Sequence, residues 1–283
     1  MNFREAYKKA VEIISSRTDD AQFDAMCLVE KVFGLDRTQY YLKADHKVSD
    51  EKYDELTKLA TRRAAGEPLQ YILGQWDFMG RTFFVGKGVL IPRPETEMIV
   101  EAAIDFVKCI EKPIIFDLCS GSGCIGITVA AEKPDSTVYV LEKSSEAMVY
   151  LKKNMELHKT KNVFPIQGDI FTDFFKFSNL KPDLIVSNPP YIESGIISSL
   201  QEEVQKEPVM ALDGGDDGLD FYKAISSHWI PLLKEYGAVI VECGENQGKK
   251  ICDIFKNNER IKKAMFYLDY CENERMVIAK TSN

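Results

Sequence analysis

The hydrophobic positions of this chain change their period along its length. In residues 1–74 they recur at helical spacing. Phe3, Tyr7, Ala10, Val11 and Ile14 form one stripe, and Phe23, Cys27, Leu28 and Val32/Phe33 form another. Val48-Ser49-Asp50-Glu51 opens a further helix with a capping residue, which runs through Tyr53, Leu56, Leu59 and Ala60 to Ala65-Gly66. Gly34, Asp45 and Gly66-Glu67-Pro68 punctuate these stripes, and short helices of this kind predict a small bundle. Residues 76–85 read as a hairpin turning near Met79-Gly80. In Leu90-Ile91-Pro92-Arg93-Pro94-Glu95-Thr96-Glu97 two prolines hold off helix until Glu95, from which one runs to about Cys109.

From Pro113 the pattern becomes an alternation of strands and helices. Strands are predicted at Ile114–Leu118, Thr137–Leu141, Val163–Gln167, Asp183–Ser187 and Gly237–Cys243, with helices at Cys124–Glu132 and Ser144–Leu157. Such alternation implies an α/β fold, a mainly parallel sheet with helices on both faces. The last two runs, Ala264–Tyr270 and Arg275–Lys280, are separated by Cys271-Glu272-Asn273-Glu274 alone. That gap is too short for a crossover helix, so they should pair antiparallel. The expected organisation is a helical N-terminal domain over 1–74, a hairpin linker over 75–91 and an α/β domain over 92–283.

Composition narrows the function classes. The 283 residues are 45% hydrophobic and 28% charged, ordinary for a globular protein with a real core. No run approaches the roughly 20 apolar residues of a membrane span, and the N-terminus lacks the apolar segment of a signal peptide. Seven cysteines without a Cys-x-x-Cys pair suit reduced thiols in the cytoplasm. Three histidines with no helical His-x-x-x-His spacing give no expectation of a metal. Of 36 Lys/Arg and 44 Asp/Glu, 14 of each fall in residues 1–90, which leaves 22 and 30 for the rest. The whole net charge of −8 thus lies in the C-terminal two thirds, an unfavourable surface for duplex DNA.

Three successive strand ends carry candidate ligand chemistry. Asp117-Leu118-Cys119-Ser120-Gly121-Ser122-Gly123-Cys124-Ile125-Gly126 joins a strand to a helix at the edge where open α/β sheets bind ligands. Its glycines let the backbone turn tightly and approach a ligand. Glu142 ends the second strand with a carboxylate able to accept both hydroxyls of a ribose. Asp169 and Ile170, after the third, offer an acid for an adenine amino group and an apolar face. Gly121, Gly123 and Gly126 also match Gly-x-Gly-x-x-Gly, a weak signal for a dinucleotide. A pyrophosphate disfavours an adjacent acid, whereas Asp117 suits the ammonium of a methionine moiety. S-adenosylmethionine is therefore expected over NAD. A loop serving only as a turn is the simpler alternative, and Cys119 and Cys124 read as small packing residues.

Asn188-Pro189-Pro190-Tyr191 follows the fourth strand directly. Two prolines stiffen the loop, and Pro189 keeps a carbonyl while lacking an N–H. That carbonyl and the Asn188 side-chain oxygen can be two preorganised acceptors for one –NH2 group, with Tyr191 as a flat ring beside it. Directing both hydrogens of a planar nitrogen turns its remaining electron density toward a methyl donor. An ordinary Pro-Pro turn competes with this reading for the tetrad alone. Asn188, Pro189 and Tyr191 are the candidate catalytic residues; Pro190 joins them in substrate binding, and Asn188 also borders the cofactor.

At this point the chain resembles the HemK/PrmC family, the peptide-chain release factor glutamine N5-methyltransferases. The resemblance covers nearly its whole length. It rests on Gly66-Glu67-Pro68-Leu69-Gln70-Tyr71-Ile72-Leu73-Gly74, the Leu90–Glu97 string, the Asp117–Gly126 loop and Asn188–Tyr191. Glu207-Pro208, Ala211–Leu219 and Glu242-Cys243-Gly244 add to it. The resemblance implies a class I methyltransferase domain, a Rossmann-like seven-stranded sheet with an antiparallel C-terminal pair, joined by the hairpin to the helical domain. It implies a cofactor loop at Cys119–Gly123, a ribose acid at Glu142 and adenine-side residues at Asp169 and Ile170. The implied substrate is the glutamine of the Gly-Gly-Gln loop of class I release factors, recognised in part by the helical domain. A cytoplasmic monomer with no membrane and no direct DNA contact is expected. Two positions depart from the family: Cys119 stands where glycine is usual, and Glu142-Lys143-Ser144 where Asp-x-Ser is usual. Arg93 and Gly214-Gly215 have no assigned role at this level. Competing readings are an adenine N6-methyltransferase, a cofactor-binding scaffold and a nicotinamide oxidoreductase.

Overall fold

The computed structural model describes residues 1–282. Contacts divide the chain into two compact units, residues 1–75 with 201–206, and residues 76–200 with 207–283. The first unit is helical: α1 (Phe3–Ile14), α2 (Ala21–Phe33), α3 (Arg37–Lys43), α4 (Asp50–Ala64) and α5 (Leu69–Leu73). Asn2 and Glu5 form a reciprocal capping box at the start of α1, and Ser49 caps α4 by accepting the Lys52 N–H. The core between α1, α2 and α4 is made by small and branched residues, among them Ala6, Ala10, Ile14, Ala25, Leu28, Leu56 and Ala60. Inside it Arg63 donates to Asp24 at 2.6 Å and to Glu203 of the 201–206 segment at 2.8 Å. Phe23, read as part of the apolar stripe of α2, is exposed.

The second unit starts with the hairpin of β1 (Gln75–Phe78) and β2 (Arg81–Phe84), turning at Met79-Gly80, both at positive φ. A 3-10 turn at Pro94–Thr96 leads into α6 (Glu97–Val107), two residues later than the sequence suggests. Then come β3 (Ile114–Leu118), α7 (Cys124–Glu132), β4 (Thr137–Glu142), α8 (Ser145–His158), β5 (Val163–Gln167) and β6 (Leu184–Ser187). The chain finishes with α9 (Asp220–Ala224), β7 (Ala238–Glu242), α10 (Gly248–Lys256), β8 (Lys263–Leu268) and β9 (Glu274–Lys280). The seven strands β3–β9 form one sheet in the order β5-β4-β3-β6-β7-β9-β8. Pairs from β5 to β7 are parallel, and β9 runs antiparallel to both β7 and β8. This is the expected class I methyltransferase architecture.

Alternate strand residues feed two cores, as a sheet covered on both faces requires. Ile115, Val138, Val140, Leu184, Val186 and Ile240 pack under α6, α7 and α8. Phe116, Leu118, Ile185, Val239, Val241 and Val277 pack with Trp229 and α10 on the other face. The chain winds outward from β3 toward β5 and then outward again from β6 toward β7. The crevice at the carboxyl ends of β3 and β6 is thus the switch point, where such sheets bind ligands.

Candidate active site

A cavity opens at that crevice; its space together with the adjoining open solvent is about 970 Å³. Its wall includes Cys119–Ser122 after β3, Glu142-Lys143-Ser144 after β4, Gly168–Phe171 after β5, and Asn188 and Pro190 after β6. Glu142 is nearly buried, and two backbone groups fix its carboxylate: Gly121 N–H donates to Oε2 and Ser144 N–H to Oε1, each at 2.7 Å. Burial pushes its pKa up while those N–H groups pull it down. Gly121 sits at φ +54°, and a Cβ there would meet nothing nearer than Val89 Cγ2 at 4.0 Å. It would project into open space beside the cavity wall, so the glycine leaves a cradle.

The other glycines of the loop serve packing. A Cβ at Gly123 would lie 2.3 Å from Leu151 Cδ1, and one at Gly126 would lie 2.5 Å from Val140 Cγ1. Neither is part of the cavity wall. Asp117 is outside the wall as well. It is wholly buried behind the wall, and its Oδ2 accepts the Gly126 N–H at 2.9 Å. The residue expected to meet an ammonium instead holds the first turn of α7. Burial pushes its pKa up to about 8. Ser120 is likewise turned to the backbone, donating to Asp117 O at 2.8 Å. Cys119 does line the cavity, and at φ +60° it occupies the left-handed region that favours glycine.

The adenine-side expectation meets a pair the sequence did not reveal. Asp169 Oδ1 accepts the Phe171 N–H at 2.9 Å, and its Oδ2 faces Lys143 Nζ at 2.9 Å. Ile170 is buried in the wall, with its carbonyl bound by Trp229 Nε1 at 2.8 Å. Phe171 and Phe221 meet edge to face at 5.0 Å and give the cavity an aromatic corner.

At the acceptor end Asn188 lines the cavity, while Pro189 and Tyr191 lie beside its wall. Asn188 Nδ2 donates to Thr96 Oγ1 at 3.1 Å, and Thr96 donates to Glu242 Oε2 at 2.6 Å. Tyr191 OH donates to Glu242 Oε1 at 3.2 Å. The Tyr191 ring, expected as a free platform, is half-buried against the core on the Trp229 face, and burial raises its pKa. Gly214 explains its place in the sequence here. A Cβ would lie 2.7 Å from the Tyr191 Cα, so only glycine lets the 209–215 turn back the tetrad. Arg93 lines the cavity and pairs with buried Glu207, which also accepts the Ile91 N–H at 3.0 Å.

Comparison with known proteins bears on this arrangement. Residues 5–74 match the family described as "PrmC N-terminal domain", and residues 72–215 match "Conserved hypothetical protein 95". A release factor glutamine methyltransferase of Aquifex aeolicus is 33% identical over 273 residues, 96% of this chain and 95% of that protein. The chain belongs to the release factor glutamine methyltransferase family. A Clostridium acetobutylicum member is 31% identical over 99% of this chain and 98% of its own length, and a Geobacter sulfurreducens member is 38% identical over 84% and 82%. The hMettl16 catalytic domain, solved in complex with the MAT2A 3′UTR hairpin 1, superposes with a TM-score of 0.57 at 12% identity, covering 99% of this chain and 91% of that one. That likeness concerns the fold.

Membership makes the chain an enzyme, and family and fold imply use of S-adenosylmethionine. The residues present fit that group: a buried, oriented carboxylate at Glu142, an open cradle at Gly121 and an aromatic corner at Phe171/Phe221. Among the described residues no His/Cys/Asp/Glu cluster could hold a metal, and no helix is long and apolar enough to cross a membrane. Thr96, Glu242, Lys143, Phe221 and Arg93 escaped assignment from sequence. Only Arg93, Thr96 and Glu242 stood within quoted family strings, without any sign of their partners.

Proposed function

We propose that this methyltransferase moves the methyl group of S-adenosylmethionine to the side-chain amide nitrogen, N5, of the glutamine in the Gly-Gly-Gln loop of class I peptide-chain release factors. The observation that carries this reading is the fixed amide of Asn188. Its Nδ2 is engaged by Thr96, which leaves Oδ1 as the atom available to accept a hydrogen from a carboxamide.

An amide nitrogen is a weak nucleophile because its lone pair is delocalised into the carbonyl. Asn188 Oδ1 and the Pro189 carbonyl take one N–H each, so the nitrogen's remaining density is turned away from them. Both acceptors favour the positive charge that grows on nitrogen, and they are set before the substrate arrives. When bound, S-adenosylmethionine supplies an electrophilic methyl carbon on a sulfonium leaving group. Glu142 binds the ribose hydroxyls, and Gly121 gives the backbone close approach. Asp169, Ile170 and Phe171 take the adenine, Asp169 sharing its carboxylate between Lys143 and the base. Cys119, Ser120 and Ser122 border the methionine part. The helical unit supplies surface for recognising a folded protein substrate.

The direct test is transfer from labelled S-adenosylmethionine to a purified class I release factor. Label is expected on the native factor and lost when the Gly-Gly-Gln glutamine is replaced by alanine. Label retained on that variant, or found on nucleic acid and not on the factor, contradicts the reading.

A further inference from the structure

With Glu242 ionised, the chain Glu242–Thr96–Asn188 has a direction that follows from hydrogen counting. A threonine hydroxyl owns one hydrogen. At 2.6 Å from Glu242 Oε2, and with that carboxylate ionised, Thr96 must spend its hydrogen on Glu242. Its oxygen can then only accept, so the Asn188 group facing it at 3.1 Å must be the –NH2 and not the carbonyl. Glu242 Oε1 in turn takes the Tyr191 hydroxyl at 3.2 Å, so one buried carboxylate holds the first and last residues of the tetrad. Glu242 is 1% exposed, lies at the end of β7 and is not part of the cavity wall.

We propose that Glu242 is a positioning residue of the methyl transfer: its carboxylate makes Thr96 an obligate acceptor and thereby commits Asn188 Oδ1 to the substrate carboxamide. The inference rests on the reading of the acceptor site above. A protonated Glu242 carries a donor of its own. The Thr96 hydrogen is then free to turn toward Asn188, whose flipped amide would present –NH2 to the –NH2 of the substrate. Two donors face each other in that state, and the nitrogen is no longer held.

The ionisable groups facing Glu242 come from every element around it: Glu95 ahead of α6, Cys124 in α7, Tyr191 after β6, Tyr222 in α9, Cys243 after β7 and Arg275 in β9. Burial raises both tyrosines and both thiols, and Arg275 keeps its charge. Among these facing groups the change of charge near neutrality therefore falls to Glu242, which burial pushes up to about 7 against the pull of Thr96 and Arg275. Ionisation switches the relay on, so kcat should rise with pH across the neutral range.

Glu242→Gln replaces the acceptor-only carboxylate with an amide of the same shape. The expected result with a release factor as substrate is a kcat lowered on the order of tenfold to a hundredfold. The S-adenosylmethionine affinity should stay within about twofold, and the rise of kcat with pH should disappear. Native kcat and a native pH profile in this variant would overturn the proposal. If the variant does not fold, Thr96→Val and Thr96→Ser decide: valine should reproduce the kcat loss and serine should restore most of it, whereas equal losses in both mark a merely structural role. A readout independent of the substrate separates this inference from the functional reading. In the native protein the Asn188 side-chain amide resonances should shift with pH as Glu242 ionises, and in Glu242→Gln they should not. If the native protein labels no release factor, the substrate reading fails. The titration then decides the relay alone: a pH-independent Asn188 amide overturns it.

Discussion

Glu142 and Cys119 show how single side chains set the cofactor end of the cavity. Each oxygen of Glu142 already receives one backbone N–H, from Gly121 and from Ser144, and each keeps lone-pair capacity for a hydroxyl. Glutamine in its place has one acceptor and would turn an –NH2 toward a backbone donor. Hydrogen bonds to charged groups are worth about 1.5–3 kcal/mol, so Glu142→Gln should weaken S-adenosylmethionine binding by about 10- to 100-fold in calorimetric titration. A loss of turnover at saturating cofactor with native affinity would contradict the ribose role. Cys119 carries a Cβ at φ +60°, a conformation costing about 1–2 kcal/mol in an L-residue. Cys119→Gly should leave the unfolding free energy within about 1 kcal/mol of native, because relief of strain offsets added chain entropy. Cys119→Val should lower it by about 2–3 kcal/mol, since a β-branched residue fits that region worst. Equal stability of the two variants in urea titrations would remove the strain argument. That glycine is usual at this position is what the family resemblance implies. Its reason, a left-handed turn, was not readable from sequence, because φ is set by how the loop returns to α7.

At the scale of elements, strand positions were legible to within one or two residues. The inner strands β3, β6 and β7 are buried on both faces, so each reads as a short apolar run bounded by turn residues. Ile114–Leu118, Val163–Gln167 and the helix Cys124–Glu132 stand where the pattern puts them. Side-chain destinations beyond the strand ends were not legible. Asp117 leads into the loop whose residues Cys119–Ser122 line the cavity, yet its carboxylate turns inward to the Gly126 N–H. Sequence spacing cannot tell the inward from the outward side of a tight turn. That burial has a measurable consequence. Asp117 is held near 8 in the fold against an ordinary 3.8, so between those values the folded chain keeps a proton that the unfolded chain releases. The unfolded state then binds fewer protons, and stability falls as pH rises through this window. The raised Glu142 and Glu242 act in the same direction, Glu242 up to about pH 7. Asp117→Asn keeps an acceptor for Gly126 and removes the titration. Its denaturation midpoint should therefore fall less than that of the native protein between about pH 5 and about pH 8. Parallel pH profiles for the two proteins would show that Asp117 does not carry the effect.

For the whole molecule, the sequence separated a helical N-terminal region from an α/β region through the change of hydrophobic period. It could not show that residues 201–206 are grouped by their contacts with the helices, where Glu203 joins the buried Arg63–Asp24 pair. Contacts made across so long a stretch of chain leave no periodic trace. The Asn188–Tyr191 tetrad stood out in the sequence, but the hydrogen-bond network behind it did not, for the same reason. Asn188, Thr96 and Glu242 are brought together by β6, β7 and the turn before α6, and their order of donation emerges only in three dimensions. Net negative charge in the α/β part agrees with a protein rather than a nucleic-acid substrate.

The account turns on Asn188 gripping a carboxamide, and one paired measurement tests that most directly: cofactor affinity and release-factor turnover of Asn188→Ala, side by side with the native enzyme. Removing a donor–acceptor contact made in the transition state typically costs about 100- to 1,000-fold in kcat. The prediction is a loss of that size with S-adenosylmethionine affinity changed by less than about fivefold. Native turnover in the variant would contradict the account, and so would a fall in turnover matched by an equal fall in cofactor affinity.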